Sequence, residues 1–161
     1  MFHLRKPELK DGPKIFQLAK AAKSLDVNSC YHYLLLSRKF SSTCVVAVQE
    51  EELIGFLTAF RDPDHSEILF IWQIAVSENN RNQGIAKEMV KHLLKRKFHT
   101  EVRFIEATIT QSNTASQTLF RNLAKELQSE IKEQIFFTKE LFPEKGHEPE
   151  HLFRIGPLNH N

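Results

Sequence analysis

Apolar residues recur along the chain at two spacings, one typical of strands and the other typical of helices. Short runs rich in β-branched and aromatic residues predict strands, whereas apolar positions three or four residues apart predict amphipathic helices. The predicted strands cover residues 2–5, 43–48, 53–60, 68–76, 102–110, 131–138 and 152–155. The predicted helices cover residues 8–23, 31–39, 83–96 and 113–127.

Two segments indicate how these elements assemble. Residues 68–76 are almost continuously apolar, which is typical of a central strand that is covered on both faces. The polar residues 49–52 separate two strand patterns and predict the turn of an antiparallel hairpin. The element order β-α-α-β-β-β-α-β-α-β-β therefore predicts an α/β fold, in which a mixed sheet carries helices on both faces.

The composition is that of an ordinary folded domain. Of 161 residues, 41% are hydrophobic and 26% are charged, which excludes a disordered chain. A chain of this length predicts a single domain over residues 1–161. The net charge of +2 is too small to drive binding to nucleic acid or to anionic lipid, so we expect neither partner.

Three further observations predict a cytoplasmic protein. The longest apolar run, at residues 68–72, is far shorter than the roughly 20 residues that span a bilayer. The first seven residues lack the apolar run of a signal peptide. The spacing of Cys30 and Cys44 suits neither a redox pair nor a zinc site, so we expect two reduced thiols.

The stretch over residues 74–86 carries the most chemical information, because a buried strand ends there and an amphipathic helix begins. Helix starts leave unpaired N–H groups and carry a partial positive charge, so they attract phosphate. Gly84 and Ala86 lack bulk and would let a pyrophosphate approach, while Arg81 and Lys87 would add positive charge. The competing interpretation is a plain strand–loop–helix corner in which Gly84 only relieves strain.

The pattern Arg81-x-x-Gly84-x-Ala86 resembles the acetyl-CoA signature of the GCN5-related N-acetyltransferase superfamily. Residues 113–120 resemble that superfamily's next landmark, in which the side chain of an asparagine, here Asn113, contacts the pantetheine arm. The resemblance implies a mixed, mostly antiparallel central sheet and acetyl-CoA as co-substrate. It implies contacts with acetyl-CoA at Ile74, Val76, Arg81, Asn82, Gln83, Gly84, Ile85, Ala86, Lys87 and Asn113.

One position departs from the superfamily pattern. Many members place a tyrosine near the second turn of the later helix, as a general acid for the leaving thiolate. Phe120 stands there and has no ionisable proton, which rules out a phenol at this site. This difference favours the alternative of a non-catalytic module that binds acetyl-CoA.

A narrower resemblance covers nearly the whole chain. The blocks 25–36, 70–76, 108–113 and 146–157 are similar to the diaminobutyrate acetyltransferases, which act on the route to the osmotic-stress solute ectoine. The resemblance implies a homodimer that transfers acetyl to the γ-amine of L-2,4-diaminobutyrate by direct attack in a ternary complex. Acetylation of another diamine, a polyamine or a protein amine is the alternative, although the scattered acidic residues do not favour it.

We expect five residues to contact the diamino acid. Asp26 would hold an ammonium group, although it could equally be a solvated loop acid or a helix cap. Trp72 would form a pocket wall beside an ammonium group, although its periodicity also fits a core residue. Tyr31 lies in the same block as Asp26, and Glu148 and Glu150 flank a proline in a segment that could reach over the site or stay solvated.

The chemistry requires a neutral amine, so a carboxylate must accept its proton. Asp26 and Glu150 are the candidates, and the sequence does not choose between them. The superfamily's splayed central strands imply that a backbone N–H near Val76 stabilises the developing oxyanion. Nothing pairs either cysteine with a base, and Pro149 prevents a regular helix that would present His147 and His151 to a metal, so we expect no acyl-enzyme and no metal.

Overall fold

The computed structural model describes residues 1–97 and 101–159 of the chain. The described strands are β1 (His3–Arg5), β2 (Val45–Gln49), β3 (Glu52–Arg61), β4 (Ile68–Val76), β5 (Phe104–Thr110), β6 (Ile131–Phe137) and β7 (Glu150–Ile155). The described α-helices are α1 (Gly12–Ala21), α2 (Cys30–Lys39), α3 (Ile85–Leu94) and α4 (Thr114–Glu126). Their order along the chain is the order that the sequence predicts.

The chain divides into two compact units, and β4 passes from one to the other. The first unit comprises Met1–Arg61 and Ile71–Thr100, and the second comprises Asp62–Phe70 and Glu101–Asn161. Only the pairing of β4 with β5 is parallel among the pairings described, so the sheet is mixed and mostly antiparallel, as expected. The single domain over residues 1–161 stays a prediction.

The first unit carries the strands β1, β2, β3 and the last part of β4, in that order. β2 and β3 form the predicted antiparallel hairpin, and Glu50 and Glu51 at its turn have φ angles of 49° and 67°. Two consecutive positive φ angles match the twist of a tight hairpin. The core cluster of the first unit consists of Ile15, Ala19, Tyr33, Leu36, Cys44, Val46, Val48 and Phe56.

The second unit carries the first part of β4, then β5, β7 and β6. Ile68–Phe70 pairs in parallel with Phe104–Glu106, and both β5 and β6 pair antiparallel with β7. The helix α4 begins after Asn113, whose side chain accepts a hydrogen bond from the Ser116 amide at 3.2 Å. The buried apolar side chains of the second unit include Val102, Ile105, Phe120, Leu123, Phe153 and Ile155.

The structure moves several predicted element ends by one to four residues, and three corrections are the clearest. The helix predicted from residue 83 begins at Ile85, because Gly84 has a left-handed φ of 75°. The helix predicted from residue 8 starts as a 3-10 turn, Leu9–Asp11, and becomes α1 only at Gly12. The full cover predicted for β4 is wrong at Trp72, which is 48% exposed.

No helix within residues 1–97 and 101–159 is both long and apolar enough to cross a membrane.

Candidate active site

The connection from β4 to α3 is tied to the hairpin of the first unit. After Val76, the Ser77 amide donates to the Ile54 carbonyl at 2.8 Å, and the Ser77 hydroxyl donates to Asn80 Oδ1 at 2.7 Å. The Asn80 amide side chain reaches Gln49 Oε1 at 3.4 Å. These bonds fix residues 77–80, which form the first half of the connection. None of these bonds involves residues 82–84, which lead into α3.

The N-terminus of α3 is open to a ligand. Gly84 caps the helix with a φ of 75° and, having no side chain, makes no side-chain capping bond to the first turn. A Cβ placed on Gly84 would meet no atom within 4 Å, so the space beside Gly84 is open. Asn82 also has a positive φ, of 62°. Open amides at the start of a ten-residue helix fit the pyrophosphate of acetyl-CoA.

The residues predicted to contact acetyl-CoA in this unit lie along one continuous path. The half-buried residues are Ile74 and Val76 in β4 and Ala86 and Lys87 in α3, while Arg81, Asn82, Gln83 and Gly84 are exposed. Ile85 differs from them, because its side chain is 1% exposed and belongs to the core. We therefore expect Ile85 to contact a ligand through its backbone amide alone.

Trp72 lies between two rings that are almost perpendicular to it. The His32 ring centroid is 4.7 Å away at 80°, and the Phe60 centroid is 6.2 Å away at 83°. His32 Nε2 is buried without a hydrogen-bond partner, and burial lowers the pKa of the imidazole. A neutral His32 therefore packs against an indole that remains half exposed, as a fixed pocket wall requires.

The loop that carries Asp26 is held by two residues that the sequence analysis missed. Gln73, which follows Trp72, donates from Nε2 to the Asp26 carbonyl at 2.7 Å. The Tyr33 hydroxyl donates to Gln73 Oε1 at 2.9 Å and accepts from the Asn28 amide at 3.4 Å. Only tertiary structure brings these positions together, so no local pattern could have identified them.

Tyr31, also predicted to contact the substrate, lies in the first turn of α2 and is 71% exposed. Its neighbour two residues later, Tyr33, is fully buried. The helix is capped by Ser29, whose hydroxyl accepts from the His32 amide at 3.4 Å. The first turn of α2 therefore presents Tyr31 outward.

In the second unit, Glu148 bonds the turn that precedes α4. Its carboxylate accepts from the Ser112 amide at 3.0 Å and from the Ser112 hydroxyl. Asn113 caps α4 directly after that turn, so the Glu148 carboxylate bonds the residue that precedes Asn113. Glu150 is the first residue of β7 and pairs with Thr110, the last residue of β5.

Another carboxylate in this unit, Glu133, accepts from two side-chain donors and lies beside a histidine. It accepts from Gln111 at 3.0 Å and Arg121 at 2.8 Å, and it lies 3.1 Å from His151 Nδ1. Burial raises the pKa of Glu133, but the Gln111 and Arg121 hydrogen bonds outweigh it and hold that pKa below its usual range. His147 instead stacks on Phe142 at 3.6 Å. No three metal-binding side chains cluster in the described part of the chain.

Two side chains are withdrawn from any reaction by burial. Phe120 is 1% exposed and packs in the core of its unit, so its position does not face a ligand. Burial raises the pKa of the Cys44 thiol to about 11, so this thiol is protonated at neutral pH. A thiol that stays protonated is a poor nucleophile.

The comparisons with known proteins define first the class and then the branch within it. The model of the acetyltransferase (GNAT) family matches residues 13–124, which include the open N-terminus of α3. An L-2,4-diaminobutyric acid acetyltransferase of Shouchella clausii is 44% identical over 155 residues, which are 96% of this chain and 86% of the relative. The enzyme of that name from Halalkalibacterium halodurans is 42% identical, over 96% of this chain and 81% of the relative.

A solved structure agrees with these relatives along the whole chain. Diaminobutyrate acetyltransferase EctA from Paenibacillus lautus, in complex with L-2,4-diaminobutyric acid and coenzyme A, superposes with a TM-score of 0.96. It is 41% identical and covers 100% of this chain and 98% of its own. The chain therefore belongs to the acetyltransferase (GNAT) family, in the branch of the L-2,4-diaminobutyric acid acetyltransferases.

Proposed function

We propose that this protein transfers acetyl from acetyl-CoA to the γ-amine of L-2,4-diaminobutyrate, giving N-γ-acetyldiaminobutyrate for ectoine synthesis. The observation that carries the proposal is the whole-chain likeness to an enzyme that was solved with this diamino acid and coenzyme A. A fold-level likeness alone would leave the substrate open, because one fold hosts many activities. Identity above 40% over the full chain restricts the choice much further.

Acetyl-CoA is the co-substrate, and the start of α3 suits its pyrophosphate. The backbone amides after Gly84 would receive the phosphate oxygens, and Arg81 and Lys87 would add positive charge. Asn113 would contact the pantetheine arm, and Ile74 and Val76 would lie along it. The free space in front of Gly84 supports this assignment.

Asp26 and Trp72 are the proposed centre of the diamino-acid site. Asp26 would hold an ammonium group through a charge-assisted hydrogen bond. The exposed half of the Trp72 indole would form the wall, with its face beside the second ammonium group. Tyr31, Glu148 and Glu150 complete the set that we propose to contact the substrate.

The reaction needs the γ-ammonium to lose a proton before it attacks. An alkyl ammonium with a pKa near about 10.4 is about 3.4 units too basic at pH 7, which costs about 4–5 kcal/mol. Asp26 or Glu150 would accept this proton, directly or through water. The neutral amine nitrogen then bonds to the acetyl carbon and forms a tetrahedral intermediate. When that intermediate collapses, the carbon–sulfur bond breaks, and the nitrogen's second proton passes to the departing thiolate, which leaves as coenzyme A.

No enzyme nucleophile is needed for this route. A ternary complex gains most of its rate from holding the amine and the thioester together. The backbone N–H near Val76 would stabilise the negative oxygen of the tetrahedral intermediate. The protonated, buried Cys44 thiol supports direct attack over an acyl-enzyme.

The proposed assembly is a cytoplasmic homodimer. Ile135, Phe136 and Phe137 of β6 are 60%, 46% and 40% exposed, and β6 lies at the end of the strand order. An edge strand that exposes large apolar side chains invites pairing with another chain. Both cysteines are free, which suits a reducing compartment.

The test is coenzyme A release from acetyl-CoA with L-2,4-diaminobutyrate, ornithine, lysine and spermidine, measured side by side. We expect diaminobutyrate to give the highest kcat/KM. A preference for spermidine or lysine would contradict the substrate assignment while leaving the acetyltransferase class intact. Binding of acetyl-CoA without turnover on any of the four amines would instead indicate a non-catalytic module.

A further inference from the structure

We propose that Gln73 and Tyr33 are positioning residues that fix the Asp26 loop against β4 and thereby set which length of diamino acid is accepted. The inference rests on the proposed function, because it takes Asp26 as the ammonium-binding residue and Trp72 as the pocket wall. It adds a specificity device that neither residue provides alone.

The device is built from side chains that are removed from solvent. Gln73 is 5% exposed and Tyr33 is fully buried in the first unit. Both hydrogen-bonding ends of the Gln73 amide are used, since Oε1 accepts from Tyr33 at 2.9 Å and Nε2 donates to the Asp26 carbonyl at 2.7 Å. A buried polar group that is bonded at both ends holds its neighbours in one arrangement.

The contact fixes the loop and not the acid itself. Gln73 binds the main-chain carbonyl of Asp26, so the Asp26 carboxylate takes no part in this bond. Two residues further along, the Asn28 amide donates to the Tyr33 hydroxyl at 3.4 Å. The loop is therefore held at two backbone positions by a pair of side chains that themselves share a hydrogen bond.

The pair also relates the loop to Trp72. Gln73 is the next residue of β4 after Trp72. The backbone N–H of Gln73 donates to the Thr58 hydroxyl of β3 at 3.2 Å. The offset between the Asp26 backbone and the Trp72 backbone is thus set by one glutamine side chain. In the proposed device this offset limits the distance between the Asp26 carboxylate and the Trp72 indole, and that distance would separate diaminobutyrate from its longer homologue ornithine.

Two variants test the device without removing a predicted contact to substrate. Tyr33→Phe keeps the buried ring, which packs near Phe16 and Phe56, and removes only the hydroxyl. Gln73→Glu keeps an acceptor for Tyr33 and removes the donor to the Asp26 carbonyl. Ser37→Ala is the matched control, because this buried hydroxyl of α2 donates to the Tyr33 carbonyl at 2.8 Å and does not bond the loop.

The measurement is kcat and KM for L-2,4-diaminobutyrate and for ornithine, with the KM for acetyl-CoA and the Tm of each variant alongside. We expect Gln73→Glu to raise the KM for diaminobutyrate about tenfold, with kcat within about threefold and the KM for acetyl-CoA unchanged. The kcat/KM ratio of diaminobutyrate to ornithine should fall by about the same factor. Tyr33→Phe should shift both quantities in the same direction by a smaller amount.

A merely structural role gives a different result. If Tyr33→Phe, Gln73→Glu and Ser37→Ala all lower the Tm and leave the diaminobutyrate-to-ornithine ratio unchanged, the positioning role is wrong. If Gln73→Glu does not fold, Tyr33→Phe alone decides by that ratio. Failure of the unaltered protein to acetylate diaminobutyrate would overturn both the proposed function and the positioning role. If the unaltered protein is active but the variants keep its diaminobutyrate-to-ornithine ratio, only the positioning role is overturned.

Discussion

The two loops that precede α2 and α3 present their proposed ligand-binding groups in opposite ways. The loop before α3 ends in Gly84, which makes no side-chain capping bond, and it would offer backbone amides. The loop before α2 ends in Ser29, which caps its helix with a hydroxyl, and offers the Asp26 side chain. A short local motif predicts recognition through backbone amides. Recognition through a loop side chain depends on tertiary contacts that fix the position of the loop.

The largest effect should come from the charge in the loop before α2. Asp26→Asn keeps the size of the side chain and removes the charge that would hold an ammonium group. We expect kcat/KM for L-2,4-diaminobutyrate to fall about 100-fold, which corresponds to about 3 kcal/mol.

Asp64→Asn, in an exposed turn, is the control for this variant and should behave like the unaltered enzyme. Steady-state kinetics with saturating acetyl-CoA measures both variants. A change at Asp26 below about threefold would remove this residue from the site.

A substitution in the loop before α3 should change the KM for acetyl-CoA and not the KM for diaminobutyrate. Gly84→Val strains a backbone at φ 75° and places bulk in the open space beside Gly84. We expect the KM for acetyl-CoA to rise about 30-fold while the KM for diaminobutyrate stays within about threefold, as steady-state kinetics with each substrate varied would measure.

Gly146→Val is the matched control, because Gly146 has a φ of 85° and the same open surroundings but does not begin a helix. It should lose stability to a similar extent and keep its KM for acetyl-CoA. Equal losses of acetyl-CoA affinity in the two variants would show that Gly84 matters only for the backbone.

A smaller effect is expected where side chains hold the pocket wall. Trp72 is the only tryptophan, so intrinsic tryptophan fluorescence reports on this one ring. His32→Ala removes one of its perpendicular neighbours and should raise collisional quenching by acrylamide about twofold and the KM for diaminobutyrate about fivefold.

His32→Phe keeps an aromatic ring at that position and should restore most of both values. His92→Phe replaces another half-buried histidine, on α3, and should change neither. Quenching that is unaffected by His32→Ala would exclude a role for His32 in holding the indole.

The smallest expected effect is on the pH dependence of stability. Burial lowers the pKa of both His32 and His92 from 6.5 in the folded protein, so the unfolded chain takes up these protons first as the pH falls. Their contribution to stability is complete above pH 6.5 and declines below it. Glu133 has a lowered pKa and loses its contribution only below pH 4.5.

Thermal unfolding between pH 7 and pH 4 measures this dependence. The Tm of His32→Phe should fall less between pH 6.5 and pH 5 than the Tm of the unaltered protein. An identical decline in the two proteins would mean that His32 is charged in the fold or does not differ between the folded and unfolded states.

The element order was predictable because apolar periodicity marks each element locally. Residues 68–76 were predicted as a strand and form β4 with those bounds, since a continuous apolar run with β-branched residues leaves little alternative. The boundary at Gly84 was missed by two residues, because a left-handed glycine cannot be distinguished in sequence from the first residue of a helix.

The proposed positioning residues Gln73 and Tyr33 were not predictable from any local pattern. Gln73 lies 47 residues from Asp26 and 40 from Tyr33, and nothing in a strand pattern distinguishes a glutamine that bonds both. The sequence left the exposure of Trp72 open, because the apolar run predicts burial whereas the pocket-wall interpretation predicts an exposed face. Residues that act through backbone amides are visible in a motif, and residues that act on distant loops are not.

The central claim concerns which nitrogen receives the acetyl group, so the most direct measurement is NMR of the product formed from L-2,4-diaminobutyrate and carbon-labelled acetyl-CoA. The account predicts one new amide, with the labelled carbonyl coupled to the γ-nitrogen and its neighbouring methylene. A product acetylated on the α-nitrogen, or no acetylated diamino acid at all, would contradict it.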